Sequence, residues 1–409
     1  MQGKIDILVV SSENFTNEKR IIESLSRWSE FISKVIVSGE EKDYYENLDF
    51  SVEFLGLKTE NKAIIRNMLL SHSSQNYGLW ISEDCFLEDD ALEELLGVFQ
   101  EQADATFIYP NEVLIFGDEE TVRNFYDFKD REKELLQTLA IENMMPEWGV
   151  LTDLEFLKER GGFDERFADY EFYDFVYKNI KDLKLKNADF AFIETVLNNT
   201  FIDTSYRSLS VRETVNLYDW RKELFPSLSW DKDERLALST ANTLIGDRLF
   251  AYFDFLNASE FYRKALGAYE NTITLGKLFD AYLLMGLFDE AEKVLAVGFK
   301  EEEQEQKKEQ LRNVKTIVKN LEQEVEAGKI EEVLEMIPDV FDYYKGAPVH
   351  NIMGVIAYHS GDFERAYKFF YKTVGMNPIE ENYMLNLTDM AKKLGKENDV
   401  IGFVNRIVK

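Results

Sequence analysis

Short apolar runs separated by helical stretches dominate the first 200 or so residues. Ile5 to Val10 has the length of a buried strand and ends in polar Ser11-Ser12-Glu13-Asn14. Helical spacing follows, with Ile21, Ile22, Leu25 and Trp28 on one face, then a second apolar run from Lys34 to Val37. Val52 to Leu57 and Gly78 to Ile81 read as two further strands, with a helix around Ala63 to Ser71 between them. This alternation predicts an α/β unit, a sheet covered by helices. Ligands of such sheets sit at the carboxyl ends of strands, where Ser11-Ser12-Glu13 and Glu83-Asp84 fall.

From about Asp231 the strand signal vanishes and helical periodicity takes over. The segment from Gly354 through Gly361 to Ala366, Phe370 and Pro378 has small residues where two antiparallel helices would cross closely. Its central glycine recurs as Gly286, Gly328, Gly361 and Gly395, at spacings of 42, 33 and 34 residues. Five residues after each come Ala291, Val333, Ala366 and Val400, and Ala258, 33 before Ala291, marks an earlier repeat. A period of about 34 is the unit of a helix-turn-helix solenoid. The longer interval holds the charged stretch from Lys300 to Gln310, which predicts an extended, solvated helix. Gly354 to Pro378 and Asp280 to Leu295 resemble tetratricopeptide repeats (TPR), which implies an all-α TPR-like solenoid; a nonrepetitive helical bundle is the other reading. The expected division is 1–230, with a connecting helix at about 205–225, and 231–409.

Charge narrows the choice of partners. The 77 acidic and 47 basic residues leave a net charge of -30, a surface that repels nucleic-acid backbones and anionic lipids. A local basic pocket for a nucleotide diphosphate stays compatible with it. The single cysteine, Cys85, excludes an intrachain disulfide, and no Cys/His spacing suggests zinc. The opening from Met1 to Asp6 lacks a signal-peptide core, and no run of about 18 apolar residues occurs. The expected location is therefore the cytoplasm, with the sequons at Asn14 and Asn386 as chance matches.

Three segments carry the candidate chemistry. The first is Ile5-Asp-Ile-Leu-Val-Val-Ser-Ser-Glu-Asn followed by Ile22-Glu-Ser-Leu25. The second is Ala63-Ile-Ile-Arg66-Asn67 followed by Leu79-Trp-Ile-Ser82-Glu83-Asp84 and Glu88-Asp89-Asp90-Ala91-Leu92-Glu93. The third is Gly161-Gly162-Phe163-Asp164-Glu165-Arg166-Phe167, then Tyr170-Glu171-Phe172-Tyr173-Asp174-Phe175. Together they resemble the family-2 glycosyltransferases of GT-A fold, over roughly residues 4 to 180. The resemblance implies a Rossmann-like mixed sheet and inverting sugar transfer from a nucleotide-sugar donor.

By that resemblance Asp84 holds a divalent cation, Mn²⁺ or Mg²⁺, that neutralises the donor diphosphate. Ser11, Ser12, Glu13, Arg66, Glu83 and Asp84 are the candidate donor-binding residues, and Trp148, Gly161 and Gly162 shape the acceptor site. Two positions depart from the pattern. Ser82 stands where relatives have the first acid of an Asp-x-Asp motif, and Phe172 stands where they have the catalytic base. An inverting transferase needs a carboxylate to take the acceptor's proton. Glu171 and Asp174, three residues apart and near one helix face, are the candidates for the base, with Asp169 a further one. The solenoid points to a protein or peptide acceptor, or to self-association. The two departures keep open a second class: a catalytically silent domain on which the repeats bind proteins.

Overall fold

The computed structural model describes residues 4–11, 18–40, 48–82, 85–102, 104–116, 119–123, 139, 141, 146–167, 170–196, 204–217, 228 and 230–408. The chain forms two compact units, residues 1–201 without 140–142, and residues 202–409 together with 140–142.

The first unit is α/β. Strand β1 (Ile5–Val10) is buried along its whole length, as its run of apolar residues requires. Its one carboxylate, Asp6, is fully buried and accepts hydrogen bonds from the backbone N–H groups of Ser74 (2.7 Å) and Gln75 (3.1 Å). Helix α1 (Glu18–Ser24) runs into a 3₁₀ turn (Leu25–Trp28), and Ile21, Ile22, Leu25 and Trp28 all face the core. Then come β2 (Ile32–Val37), β3 (Ser51–Phe54), α2 (Lys62–His72), β4 (Tyr77–Ser82), β5 (Cys85–Leu87) and α3 (Ala91–Glu101). Strands β6 (Phe107–Phe116), β7 (Glu119–Arg123) and β8 (Val150–Asp153) precede α4 (Leu154–Glu159), α5 (Glu171–Asn179) and β9 (Leu185–Val196). Cys85 is buried in the core.

Among the described residues nine strands make one mixed sheet in the order β3-β2-β1-β4-β8-β6-β9-β5, with β7 on β6. Strands β3, β2, β1 and β4 run parallel. Strand β8 then lies antiparallel to both β4 and β6. The chain leaves β1 for β2 on one side and returns through β3 and α2 to β4 on the other. The order therefore reverses between β1 and β4, where Val10 pairs with Ser82 at the carboxyl ends. Open α/β sheets bind ligands at such a switch point.

The second unit is helical, beginning with α6 (Thr204–Leu217). Helical hairpins follow: α7 (Glu234–Ala251) with α8 (Phe255–Ala268), α9 (Thr272–Met285) with α10 (Phe288–Leu295), and α11 (Glu301–Glu326) with α12 (Ile330–Tyr343). Then come α13 (Ala347–His359) with α14 (Phe363–Met376), and α15 (Glu381–Leu394) with α16 (Glu397–Val408). No helix among the described residues is long and apolar enough to cross a membrane.

The recurring glycines are the hinges of these hairpins. Gly286, Gly328, Gly361 and Gly395 have φ of 80°, 77°, 78° and 69°, a left-handed geometry that glycine adopts without steric cost. Each donates its N–H to the carbonyl three residues back, while the next residue reaches the carbonyl five back, closing a Schellman motif. Ala291, Val333, Ala366 and Val400 are all buried, five residues on. The same pair of bonds closes the first hairpin around Phe253, at φ 62°. A phenylalanine thus stands at the hinge of the repeat marked by Ala258, at a cost of about 1–2 kcal/mol relative to glycine. Phe253 is 41% exposed, whereas the nearby Phe255 and Tyr262 are buried.

Close helix crossing explains a second set of glycines. An added Cβ at Gly354 would lie 2.4 Å from the Phe370 ring, and one at Gly246 would lie 2.6 Å from Tyr262. At Gly375 it would meet Phe403 at 3.5 Å, an ordinary contact. Gly354→Ala is therefore expected to lose about 1–3 kcal/mol through overpacking, outweighing any helix-propensity gain. Gly375→Ala should gain about 0.5–1 kcal/mol, because there the propensity term acts alone. Urea midpoints of the two variants test this difference in sign.

His350 supplies a pH-dependent term. It is buried against Phe341, its Nδ1 donates to the Gly346 carbonyl at 3.0 Å, and burial pushes its pKa from 6.5 down to about 4. Between these values the unfolded chain binds the proton and the folded chain does not, so stability falls as pH drops from 6.5 through about 4. The expected loss is about 2–4 kcal/mol over that window. A pH series of thermal midpoints should show it, and His350→Gln should remove that component.

Candidate functional site

Helix α2 carries the second motif. Asn61 caps it by accepting a hydrogen bond from Ile64 N–H at 3.2 Å. Its buried face holds Ala63, Ile65, Leu69 and Leu70, and places Arg66 among them with no exposed surface. Asn67, one residue on, docks the third motif onto this helix. Its Oδ1 accepts from Phe163 N–H at 2.8 Å and its Nδ2 donates to the Phe163 carbonyl at 2.9 Å. Asn61 Nδ2 adds a bond to the Glu165 carbonyl at 2.9 Å. Gly162, at φ 74°, is required by this contact, because a Cβ there would lie 2.5 Å from Asn67 Oδ1. Gly161, at φ 85°, faces open space.

Arg66 is enclosed by rings and two acids. Its guanidinium carbon lies 4.3 Å from the Trp148 ring centroid, 5.0 Å from Trp80 and from Phe172, and 5.7 Å from Phe163. Its Nε donates to Glu171 Oε1 at 2.6 Å, with both side chains fully buried. Glu147 stands 3.9 Å from Nη2. Arg66 Nη1 and Nη2 and Glu171 Oε2 make no hydrogen bond among the described residues. Burying these two charges costs several kcal/mol per ion, offset by their mutual attraction and by the cation–π contacts. Glu171 also lies in the first turn of α5, where the helix dipole favours an anion.

Phe172 is fully buried and packs on Phe107 and Phe163, at centroid distances of 5.6 and 6.2 Å. Asp174 is only 2% exposed and pairs with Lys178 at 2.9 Å. Lys178 also reaches Asp164 at 3.2 Å, and Arg166 beside Asp164 holds that carboxyl well below the usual range. Trp148 is half-buried just ahead of β8, where Gly149 N–H bonds the Trp80 carbonyl at 2.7 Å near the carboxyl end of β4. Ser11 follows β1 directly, and its N–H donates to Ser38 Oγ at 2.9 Å.

The structure thus joins Arg66, Trp148, Gly162 and Glu171 in one cluster, with Asp174 one turn along α5 and Ser11 at the neighbouring strand end. Ser12, Glu13, Glu83, Asp84 and Asp169 lie outside the described residues. Among the described residues no three His, Cys, Asp or Glu side chains are grouped to hold a metal ion. Sequence reasoning missed the parts played by Asn67, Trp80 and Glu147. Asn67 stood inside the quoted motif, and Glu147 adjoins Trp148. Trp80 gave no signal beyond its place in an apolar strand.

The buried pair makes a specific energetic demand. Arg66→Met strands the Glu171 charge and should destabilise the fold by about 3–5 kcal/mol, while adding Glu171→Leu should recover most of that loss. A double-mutant cycle in guanidinium chloride measures the coupling.

No family model matches the chain, and no curated protein matches it in sequence. Among solved structures it is similar to residues 1–349 of S. aureus TarS, at 13% identity and a TM-score of 0.40, covering 65% of this chain and 89% of that one. The crystal structure of TarS 1–349 in complex with UDP-GlcNAc has 12% identity and a TM-score of 0.40 over the same shares. GalNAc-T7 with UDP, GalNAc and Mn²⁺ has 13% identity and a TM-score of 0.39, covering 55% of this chain and 50% of that one. The described residues establish a mixed α/β sheet with a caged Arg66–Glu171 pair beside the carboxyl end of β4, followed by an all-helical unit.

Proposed function

We propose that the α/β unit is a GT-A transferase that moves a sugar from a nucleotide-sugar donor to an acceptor with inversion at the anomeric carbon. One observation carries the reading: Asn67 grips both backbone groups of Phe163, joining two motif segments 96 residues apart. Phe163 packs edge-on against Trp80 of β4, one of the two strands between which the sheet order reverses. In this reading the donor lies outside β1 and β4, against Ser11, Ser12, Glu13, Glu83 and Asp84. Asp84 is the carboxylate that shares a divalent cation with the diphosphate. Arg66 and Glu171 hold the wall of the site and the face of Trp148, against which a sugar packs, while the Gly161-Gly162 turn bounds the acceptor.

The base assignment follows from the competing contacts. Glu171 is committed to Arg66 inside the cage, whereas Lys178, the partner of Asp174, is 43% exposed. Because Glu171 is tied to Arg66 with both side chains fully buried, Asp174 is the carboxylate we assign to proton removal. The hairpin array is read as TPR-like, holding a protein or peptide acceptor in the cytoplasm. A catalytically silent domain is the second reading, favoured by Phe172 filling the base position as a core side chain.

A panel of UDP-, GDP- and dTDP-sugars with Mn²⁺ or Mg²⁺ tests the proposal by thermal shift and donor hydrolysis. One donor at about 100 times its Kd should add about 2.7 kcal/mol of stability, lost in Asp84→Ala. Asp174→Asn should keep donor binding and lower kcat about 10²–10⁴-fold. Absence of binding and hydrolysis across the panel sinks the transferase and leaves the silent scaffold.

A further inference from the structure

The helical unit carries a groove of about 840 Å³ between α10 and α11, and we propose that it binds an acidic, extended polypeptide segment. This proposal does not depend on the transferase reading. Lys308, Arg312, Lys315 and Lys319 line the groove from α11, at spacings of four, three and four residues. Such spacing puts all four on one stripe of the helix. The only acid lining the groove is Glu292, from α10. Counting Glu305 and Glu309, which pair with two of these cations, four cations face three carboxylates, a small positive excess in a chain of net charge -30.

The cations are available to a partner. Lys315 pairs with Glu292 at 3.0 Å, Lys308 with Glu305 at 2.8 Å, and Arg312 with Glu309 at 4.0 Å. Side-chain exposures of 38–74% make these weak, exchangeable pairs. Lys319 makes no ion pair among the described residues. Leu295 and Leu311 supply apolar surface to the same groove.

Geometry selects the occupant. Successive cations are about 4.5–6 Å apart along the helix axis, at about 1.5 Å per residue. Same-side residues of an extended chain repeat every ~6.6 Å, so carboxylates at alternate positions fall close to the cations. A compact anion such as phosphate would meet one or two of them and leave the rest of the stripe unmatched. The stripe is about 16 Å long, matching roughly five extended residues.

The test is fluorescence anisotropy of the full chain with a fluorescein-labelled octapeptide alternating Glu and Thr. Saturable binding at low salt is expected, weakening about tenfold or more at 0.5 M salt. Lys315→Glu with Lys319→Glu should weaken it by about tenfold or more with the circular dichroism unchanged, and Lys319→Ala, at an exposed position, should weaken it several-fold. Equal binding by both variants would overturn the proposal, as would equal binding of a Lys-for-Glu peptide. Full displacement by millimolar inorganic phosphate would reassign the groove to a small anion. A concentration-dependent dimer abolished by the charge reversal, with no peptide binding, would assign it to a second copy of the chain and equally overturn the proposal.

Discussion

A fully buried guanidinium is the constraint around which the α/β unit is arranged. A guanidinium removed from water must be surrounded by groups that favour a cation. Glu171 supplies the countercharge, and four aromatic rings supply their negative faces. With Arg66 itself from α2, these groups come from β4, α5, the segment before β8 and the turn after α4. The order of five chain segments is thus tied to one side chain. Asn67 adds a directional bond to the same junction, and the glycine at 162 is the residue that lets the two backbones approach.

Much of this arrangement was legible in the sequence, and the reasons for the rest are physical. The expected runs at Ile5–Val10, Lys34–Val37 and Gly78–Ile81 fall within β1, β2 and β4, because parallel strands buried on both faces read as unbroken apolar stretches. The far side of the sheet was not read. Strands β6 and β9 carry Pro110, Asn111, Glu112, Lys186, Asn187, Asp189 and Glu194 among their apolar residues, which breaks the pattern. Asn111 and Asn187 are satisfied there by cross-strand bonds to backbone carbonyls, a solution visible only in three dimensions. Arg66 was seen as a residue of interest, but a sequence does not tell whether a cation on an apolar helix face points to a ligand or into a cage. The acids at Glu171 and Asp174 carried the same ambiguity, and their partners Arg66 and Lys178 resolve where each is held.

In the helical unit the periodic glycines were readable because left-handed geometry leaves a compositional trace. The first hinge left none. Phe253 adopts the same geometry with a bulky side chain, and only the spacing to Ala258 pointed toward it. Backbone bonding, not residue identity, defines the repeat. Five hinges share one pattern of amide donors, although only four of them hold glycine.

One irregularity within that pattern has a geometric consequence. Helices α9, α13 and α15 begin fourteen residues before their hinge glycine, but α11 begins twenty-seven before Gly328. The thirteen additional residues lengthen the rod by about 20 Å and wind it by roughly three and a half turns. Because that count is not a whole number of turns, the chain joins α11 about half a revolution away from where it joins α9, α13 and α15. The hinge keeps its register while the point of entry is carried round to the opposite side of the rod. Lengthening a helix upstream of its hinge therefore redirects the path of the polypeptide without disturbing the packing of the hairpin downstream.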